Sequence, residues 1–285
     1  MQVIRHSDPD EFLAAVRPLA ARGEASASFF EGAAHTMKRT PPTDGERIYL
    51  ATPSEGIGAA MQRAEGPAII GASDATVARA FAIDLSRDLR ELQGVVGAPE
   101  ACAAFANTWL ELTGRGHRLR VRLRQHALKE VSDVRRAPGA PRVATDDDVD
   151  WLIDGQSAFI EEAGIPDAPA RLREHLPKRV ARGDFRIWDD GAPVAFAAFN
   201  DAAPDFARIA PVYTLPGCRG RGYATSLVAE LSRELLARGK QRLFLTTDIA
   251  NPISNAIYAR IGYRAENDDC ALDFVAPAVD HGSGD

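Results

Sequence analysis

The run Pro216-Gly217-Cys218-Arg219-Gly220-Arg221-Gly222-Tyr223-Ala224 places glycines and arginines directly before an apolar-periodic stretch. Glycine lets the backbone approach a ligand closely, guanidinium groups attract anionic oxygens, and the free amides of a helix start add partial positive charge. Together these fit a pyrophosphate. The run lacks the Gly-Lys-Ser/Thr of a triphosphate loop, and it lacks the third glycine and downstream ribose-binding acid of a dinucleotide site. Nucleoside triphosphates and NAD are therefore set aside. Cys218 has no histidine beside it and is not read as a nucleophile.

A second segment, Thr246 to Tyr258, contains Asn251 before Pro252, where the amide side chain can cap a helix. Tyr258 shares an amphipathic helix with Ile257 and Ile261. That position suits a half-buried tyrosine with a satisfied hydroxyl. Glu161, Glu162 and Asp248 are acids of this half whose ordinary reading is a solvated carboxylate. Asp146, Asp147 and Asp148 follow Thr145, so they read as a capped helix start whose acids face the positive dipole end, and not as a metal site. The histidines show no metal-ligand spacing, and no metal is expected.

The elements that must hold these groups follow from periodicity. After RRAPGAP at Arg135 to Pro141, read as the domain boundary, come a strand at Arg142 to Ala144 and a helix containing Trp151 and Phe159. A second helix spans Ala168 to Ala181. Strands at Phe185 to Trp188 and Val194 to Phe199 flank Asp189-Asp190-Gly191 as a hairpin. Arg208 to Leu215 is a further strand, and its Pro211 implies a bulge. Tyr223 to Arg238 is a helix stopped by Gly239, followed by a strand at Arg242 to Thr247, a helix at Pro252 to Ile261 and a strand at Cys270 to Val275. The N-terminal half repeats this order: a strand at Gln2 to Ile4, helices at Asp10 to Ala21 and Ser26 to Met37, and strands at Arg47 to Ala51, Gly58 to Arg63 and Pro67 to Ile70. A helix at Ala75 to Arg90, a strand at Gly94 to Val96, a helix at Pro99 to Thr113 and a strand at Arg118 to His126 complete it.

With 285 residues, 45% hydrophobic and 26% charged, the chain can build two modest cores. Its net charge of -6 argues against nucleic acid and anionic membrane as partners. Three scattered cysteines and no apolar run of spanning length point to a soluble cytoplasmic protein, and heavy Ala and Arg usage to a bacterial one. Arg118, Arg120, Arg122 and Arg124 alternate with apolar residues. RNA binding would use such a face, but charge guarding an edge strand against aggregation is the preferred reading.

Arg219-x-x-Gly222-x-Ala224 resembles the pyrophosphate-arm signature of the GNAT acetyltransferases, Arg/Gln-x-x-Gly-x-Gly/Ala. Thr246 to Tyr258, with Asn251 seven residues before Tyr258 and then Ile261-Gly262-Tyr263, resembles that family's second cofactor segment. The resemblance covers about Arg142 to Val275; the N-terminal half shares only element order. It implies an α/β (α+β) fold of two GNAT-like domains, each a mixed twisted sheet flanked by helices, the C-terminal one with a splayed strand pair. The expected organisation is a degenerate domain without cofactor at 1–135, a linker at 136–141, a catalytic domain at 142–276 and a flexible tail at 277–285. The degenerate copy would serve as scaffold and wall of the acceptor site.

The resemblance further implies acetyl-CoA as acyl donor. Its arm would lie between Val212 to Leu215 and Arg242 to Thr247. Contacts would come from Val212, Tyr213, Thr214, Leu215, Arg219, Gly220, Arg221, Gly222, Tyr223, Ala224, Thr225, Asn251, Ser254 and Asn255. An amide from Tyr213 to Leu215 would stabilise the oxyanion. A primary amine of a small metabolite or protein would attack the thioester directly, Tyr258 giving a proton to the departing thiolate and Glu162 or Asp248 serving as base candidates. The alternative is a non-catalytic acyl-CoA sensor, suggested by the lack of an acid on the bulged strand. Monomer and homodimer both stay open, and the helices at Thr145 to Ala181 do not name the acceptor.

Overall fold

The computed structural model describes residues 1–21, 26–41, 48–63, 66–89, 91–165 and 169–276. The chain divides into two compact units. One comprises Met1–Gln125, Thr247–Ala250 and the residues from Glu266; the other comprises His126–Thr246 and Asn251–Ala265.

In the first unit β1 (Val3–Arg5), β2 (Ile48–Pro53), β3 (Gly58–Arg63) and β4 (Ala68–Ala72) form an antiparallel meander. β4 then runs through α3 (Ala75–Ser86) into a parallel partner, β5 (Gly94–Gly97). β5 pairs in turn with the end of β12 (Arg264–Val275), Leu272 opposite Val95. Alternation along β3 divides the core: Ala59 faces Phe12, Leu19 and Phe30 of α1 (Pro9–Ala21) and α2 (Ala27–Arg39), whereas Ala60 faces Phe81, Phe105 and Trp109 of α3 and α4 (Pro99–Thr113).

β6 (Gly116–Leu128) corrects one expectation. Its arginine face does not guard an edge, since within this unit the strand lies between β12 and the end of β11 (Arg242–Asp248). Arg120 meets Asp273 at 2.9 Å, and Arg124 holds Asp268 through two bonds of 2.7 and 2.8 Å. The acids come from β12, which begins at Arg264 and not at Cys270, because ion pairing supports its polar first half. Among the described residues no group of acids, histidines and cysteines could hold a metal.

The second unit repeats the order. β7 (Ala140–Val143), β8 (Phe185–Asp189), β9 (Pro193–Asn200) and β10 (Phe206–Thr214) are antiparallel neighbours, and β10 leads through α7 (Tyr223–Ala237) to its parallel partner β11. Phe196 and Ala198 of β9 face α5 (Val149–Glu162) and α6 (Pro169–Ala181), while Ala195, Ala197 and Phe199 face α7 and α8 (Pro252–Ile261). Gly155 lets α5 pack tightly, because a Cβ there would stand 2.8 Å from the Phe196 ring. Before α5, Asp148 accepts the Thr145 amide at 2.8 Å and is forked by Arg142 at 2.7 Å. The Arg142 guanidinium brings the Asp148 carboxyl down to about 2. The acidic run is thus a cap.

Other boundaries also differ from expectation. β7 takes in Ala140 and Pro141, read from sequence as irregular, because both pair with β8 at Asp189 and Trp188. α3 ends at Ser86, where the Arg87 amide turns back to the carbonyls of Asp84 and Leu85. The tail at 277–285 and the helix ends expected at Ala168 and Arg90 lie outside the described residues. No helix among those residues is long and apolar enough to cross a membrane.

Candidate cofactor site

The site begins where β10 changes partners. Ile209 pairs with Phe199 and Val212 with Ala197, so Ala210 and Pro211 together stand against Ala198 as the expected bulge. The parallel register with β11 runs from Phe206↔Arg242 to Arg208↔Phe244, whereas pairing with β9 continues to Thr214↔Ala195. The Leu215 amide donates to the Val194 carbonyl at 3.0 Å. Donors alternate sides along an antiparallel ladder, so Tyr213 and Leu215 serve β9 while the amides of Val212 and Thr214 face the β11 side. This narrows the backbone donors available to a ligand there. Arg208 spans toward β11, its Nη2 donating to Thr246 Oγ1 at 2.9 Å.

After one 3-10 turn at Pro216–Cys218 the chain passes Gly220 at φ 79° and Gly222 at φ 84°, both in the region that favours glycine. Gly222 caps α7 without any side-chain bond to its first turn. The first amides of a helix have no partner within it, so this end presents donors and the positive dipole end. α3 of the first unit starts in the opposite way. Asp74 accepts the amides of Thr76 at 2.8 Å and Val77 at 3.1 Å, and those bonds, with Val77 first, hold its carboxyl below the usual range. A carboxylate already occupies that end.

Arg219 is not pointed freely at solvent. Its Nε donates to the Thr214 carbonyl at 3.0 Å, its Nη2 to both oxygens of Glu162 at 2.9 and 2.8 Å, and its guanidinium lies 5.3 Å from the Tyr213 ring centre. The Tyr213 hydroxyl donates to the same carboxylate at 2.7 Å. Tyr213 and then Arg219 hold Glu162 below its ordinary carboxyl value, the opposite direction from that which suits a general base near neutrality. Neither partner is near Glu162 in sequence. They are separated by 51 and 57 residues, and no local pattern announces the pair.

Asn251 caps α8, its Oδ1 accepting the Ser254 amide at 3.0 Å, and Asn255 Nδ2 returns to the Asn251 carbonyl at 2.8 Å. Asp248 accepts the Ala250 amide at 2.8 Å. Tyr258 is buried among the α7 and α8 core residues, its ring 5.9 Å from that of Tyr263 and 6.3 Å from that of His126. Tyr263 bonds to Ser232 at 2.9 Å, but the Tyr258 hydroxyl has no hydrogen-bond partner among the described residues. Burial pushes its proton affinity up, so it stays protonated. Tyr223 is also buried; its hydroxyl bonds to Asp190 at 2.5 Å, which assigns its side chain to packing and leaves its amide at the helix start. Cys218 is a free, half-buried thiol packed against the same core.

Residues 150–263 match the acetyltransferase (GNAT) family. A Drosophila protein solved by X-ray crystallography shares 15% identity across 97% of this chain and 99% of its own, with a TM-score of 0.69. A GCN5-related N-acetyltransferase from Sphaerobacter thermophilus shares 16% across 96% and 95%, with a TM-score of 0.63. A tandem GNAT protein from the clavulanic acid biosynthesis pathway shares 13% across 96% and 98%, with a TM-score of 0.58. At these identities the likeness is one of fold, and it runs over nearly the whole chain. No curated protein matches significantly.

Proposed function

We propose that the chain, whose residues 150–263 match the acetyltransferase (GNAT) family, is an acetyl-CoA-dependent N-acetyltransferase acting on a primary amine of a small metabolite or protein. The carrying observation is the uncapped, glycine-started α7 directly after a bulged strand whose Val212 and Thr214 amides face away from β9. In this reading the α7 amides at Tyr223, Ala224 and Thr225 hold the pyrophosphate, with Arg219, Gly220 and Arg221 around it. Val212 or Thr214 supplies the oxyanion donor, because such a donor must be preset and away from ladder bonds. The amine attacks the thioester carbon, its nitrogen gives up a proton to solvent, the C–S bond of the tetrahedral intermediate breaks, and Tyr258 gives the departing sulfur a proton that the phenolate regains from solvent. Asn251, Ser254 and Asn255 hold the neighbouring helix start in place. The Asp74 carboxylate at α3 supports an N-terminal copy without cofactor.

The test is thiol release from acetyl-CoA with a panel of amines. Turnover on at least one amine is expected. Tight CoA binding with no turnover on any acceptor would favour the non-catalytic sensor instead.

Glu162 competes with phosphate oxygens for Arg219. Both side chains are nearly half exposed, so solvent screens the pair and it contributes about 1 kcal/mol at most. Glu162→Gln is accordingly expected to tighten CoA binding by up to about fivefold in calorimetry. Weaker binding in that variant would show that Glu162 positions Arg219 for the ligand and does not oppose it.

A further inference from the structure

The segment 131–139 is a strap without helix or ladder, tied by hydrogen bonds to α7, α8 and β8. Its Ser132 amide donates to the Ile261 carbonyl at 2.8 Å, its Ala137 amide to Ser226 Oγ at 2.8 Å, and its Pro138 carbonyl accepts Trp188 Nε1 at 2.7 Å. Val134 and Ala137 pack inward on the core. The strap reaches the glycine loop itself, since a Cβ at Gly222 would stand 3.8 Å from that of Ala137. Between those inward residues, Arg135 and Arg136 are exposed, with the Arg136 guanidinium 5.7 Å from the Trp188 ring centre.

The Trp188 ring accounts for how the Arg136 side chain lies, but no ion pair accounts for the charge of either arginine. Arg142, Arg186 and Arg219 of the same unit are each ion-paired, whereas neither Arg135 nor Arg136 has a carboxylate partner among the described residues. In a chain of net charge -6, two uncompensated guanidinium groups beside an uncapped helix start do not follow from a basic composition. We propose that Arg135 and Arg136 form the subsite for the 3′-phosphate of the CoA nucleotide, the strap adding a second phosphate contact beside the pyrophosphate at α7. This rests on the cofactor reading above. Guanidinium suits the task because it stays charged and meets phosphate oxygens through paired donors.

Calorimetry with CoA and with dephospho-CoA, on the full chain and on its R135Q/R136Q variant, separates the possibilities. The unaltered protein is expected to bind CoA about tenfold more tightly than dephospho-CoA, and the variant to lose that factor on CoA while binding dephospho-CoA as before. Equal weakening for both nucleotides, or none for either, overturns the subsite while leaving the cofactor site standing. An unaltered protein that binds neither nucleotide overturns the cofactor reading and the subsite with it. Both arginines are exposed, so an unchanged melting temperature confirms that each comparison is between folded proteins.

Discussion

Tyr258→Phe is expected to lower kcat for acetyl transfer by about a hundredfold or more, with affinity for acetyl-CoA within about twofold of the unaltered protein. The substitution keeps the ring, and with it the packing against Tyr263 and His126, and removes only the hydroxyl. A thiolate leaving into a buried site is costly unless it is protonated as it departs. The hydroxyl is available for that step because burial keeps it protonated through the neutral range and no protein group among the described residues engages it. The same burial fixes the sign of the pH effect. An acid raised above the ordinary tyrosine value of 10 stays loaded through the neutral range, so any alkaline decline owed to Tyr258 falls above pH 10 and is absent in the variant. Equal turnover by both proteins removes Tyr258 as the acid. A change confined to KM instead assigns the hydroxyl to binding.

Legibility in the sequence followed the range over which each signal acts. α4 and α8 occupy their predicted spans because proline at the first turn and glycine past the last mark both ends, Gly114 and Gly262 at φ 72° and 112°. The bulge was readable because Pro211 has no amide to give, and the loop because glycine and arginine precede an apolar stripe. What escaped depends on distant partners. The first half of β12 is too polar to look like a strand until Arg124 meets Asp268 across 144 residues. Glu162 looks like any exposed acid on a helix until Tyr213 and Arg219 converge on it. The strap at Val134 and Ala137 offers no periodicity, so its hold on α7 had no local signature.

Gly94→Ala is expected to cost about 3 kcal/mol of stability or more, a drop in melting temperature of about 6 to 12 °C. β5 and β12 approach so closely that a Cβ at Gly94 would stand 2.1 Å from the Leu272 carbonyl oxygen and 3.2 Å from the Asp273 Cα. Those atoms are backbone, so no rotamer change relieves the clash and the strands must part. Parting them disturbs more than the Asp273↔Gly94 pair. Phe274 stacks on Trp109 at 5.6 Å and on Phe105 at 6.3 Å, and its amide donates to the Gln93 carbonyl at 2.9 Å. Asp273 also neutralises Arg120. Gly217→Ala is the matched control, because its added methyl meets no atom within 4 Å and its φ is ordinary; it should shift stability by no more than about 0.5 kcal/mol. Equal melting of the two variants would mean that β12 does not lie in this register on β5. Its pairs with β6 would then have to be redrawn, since Asp268 and Asp273 reach Arg124 and Arg120 from the same strand.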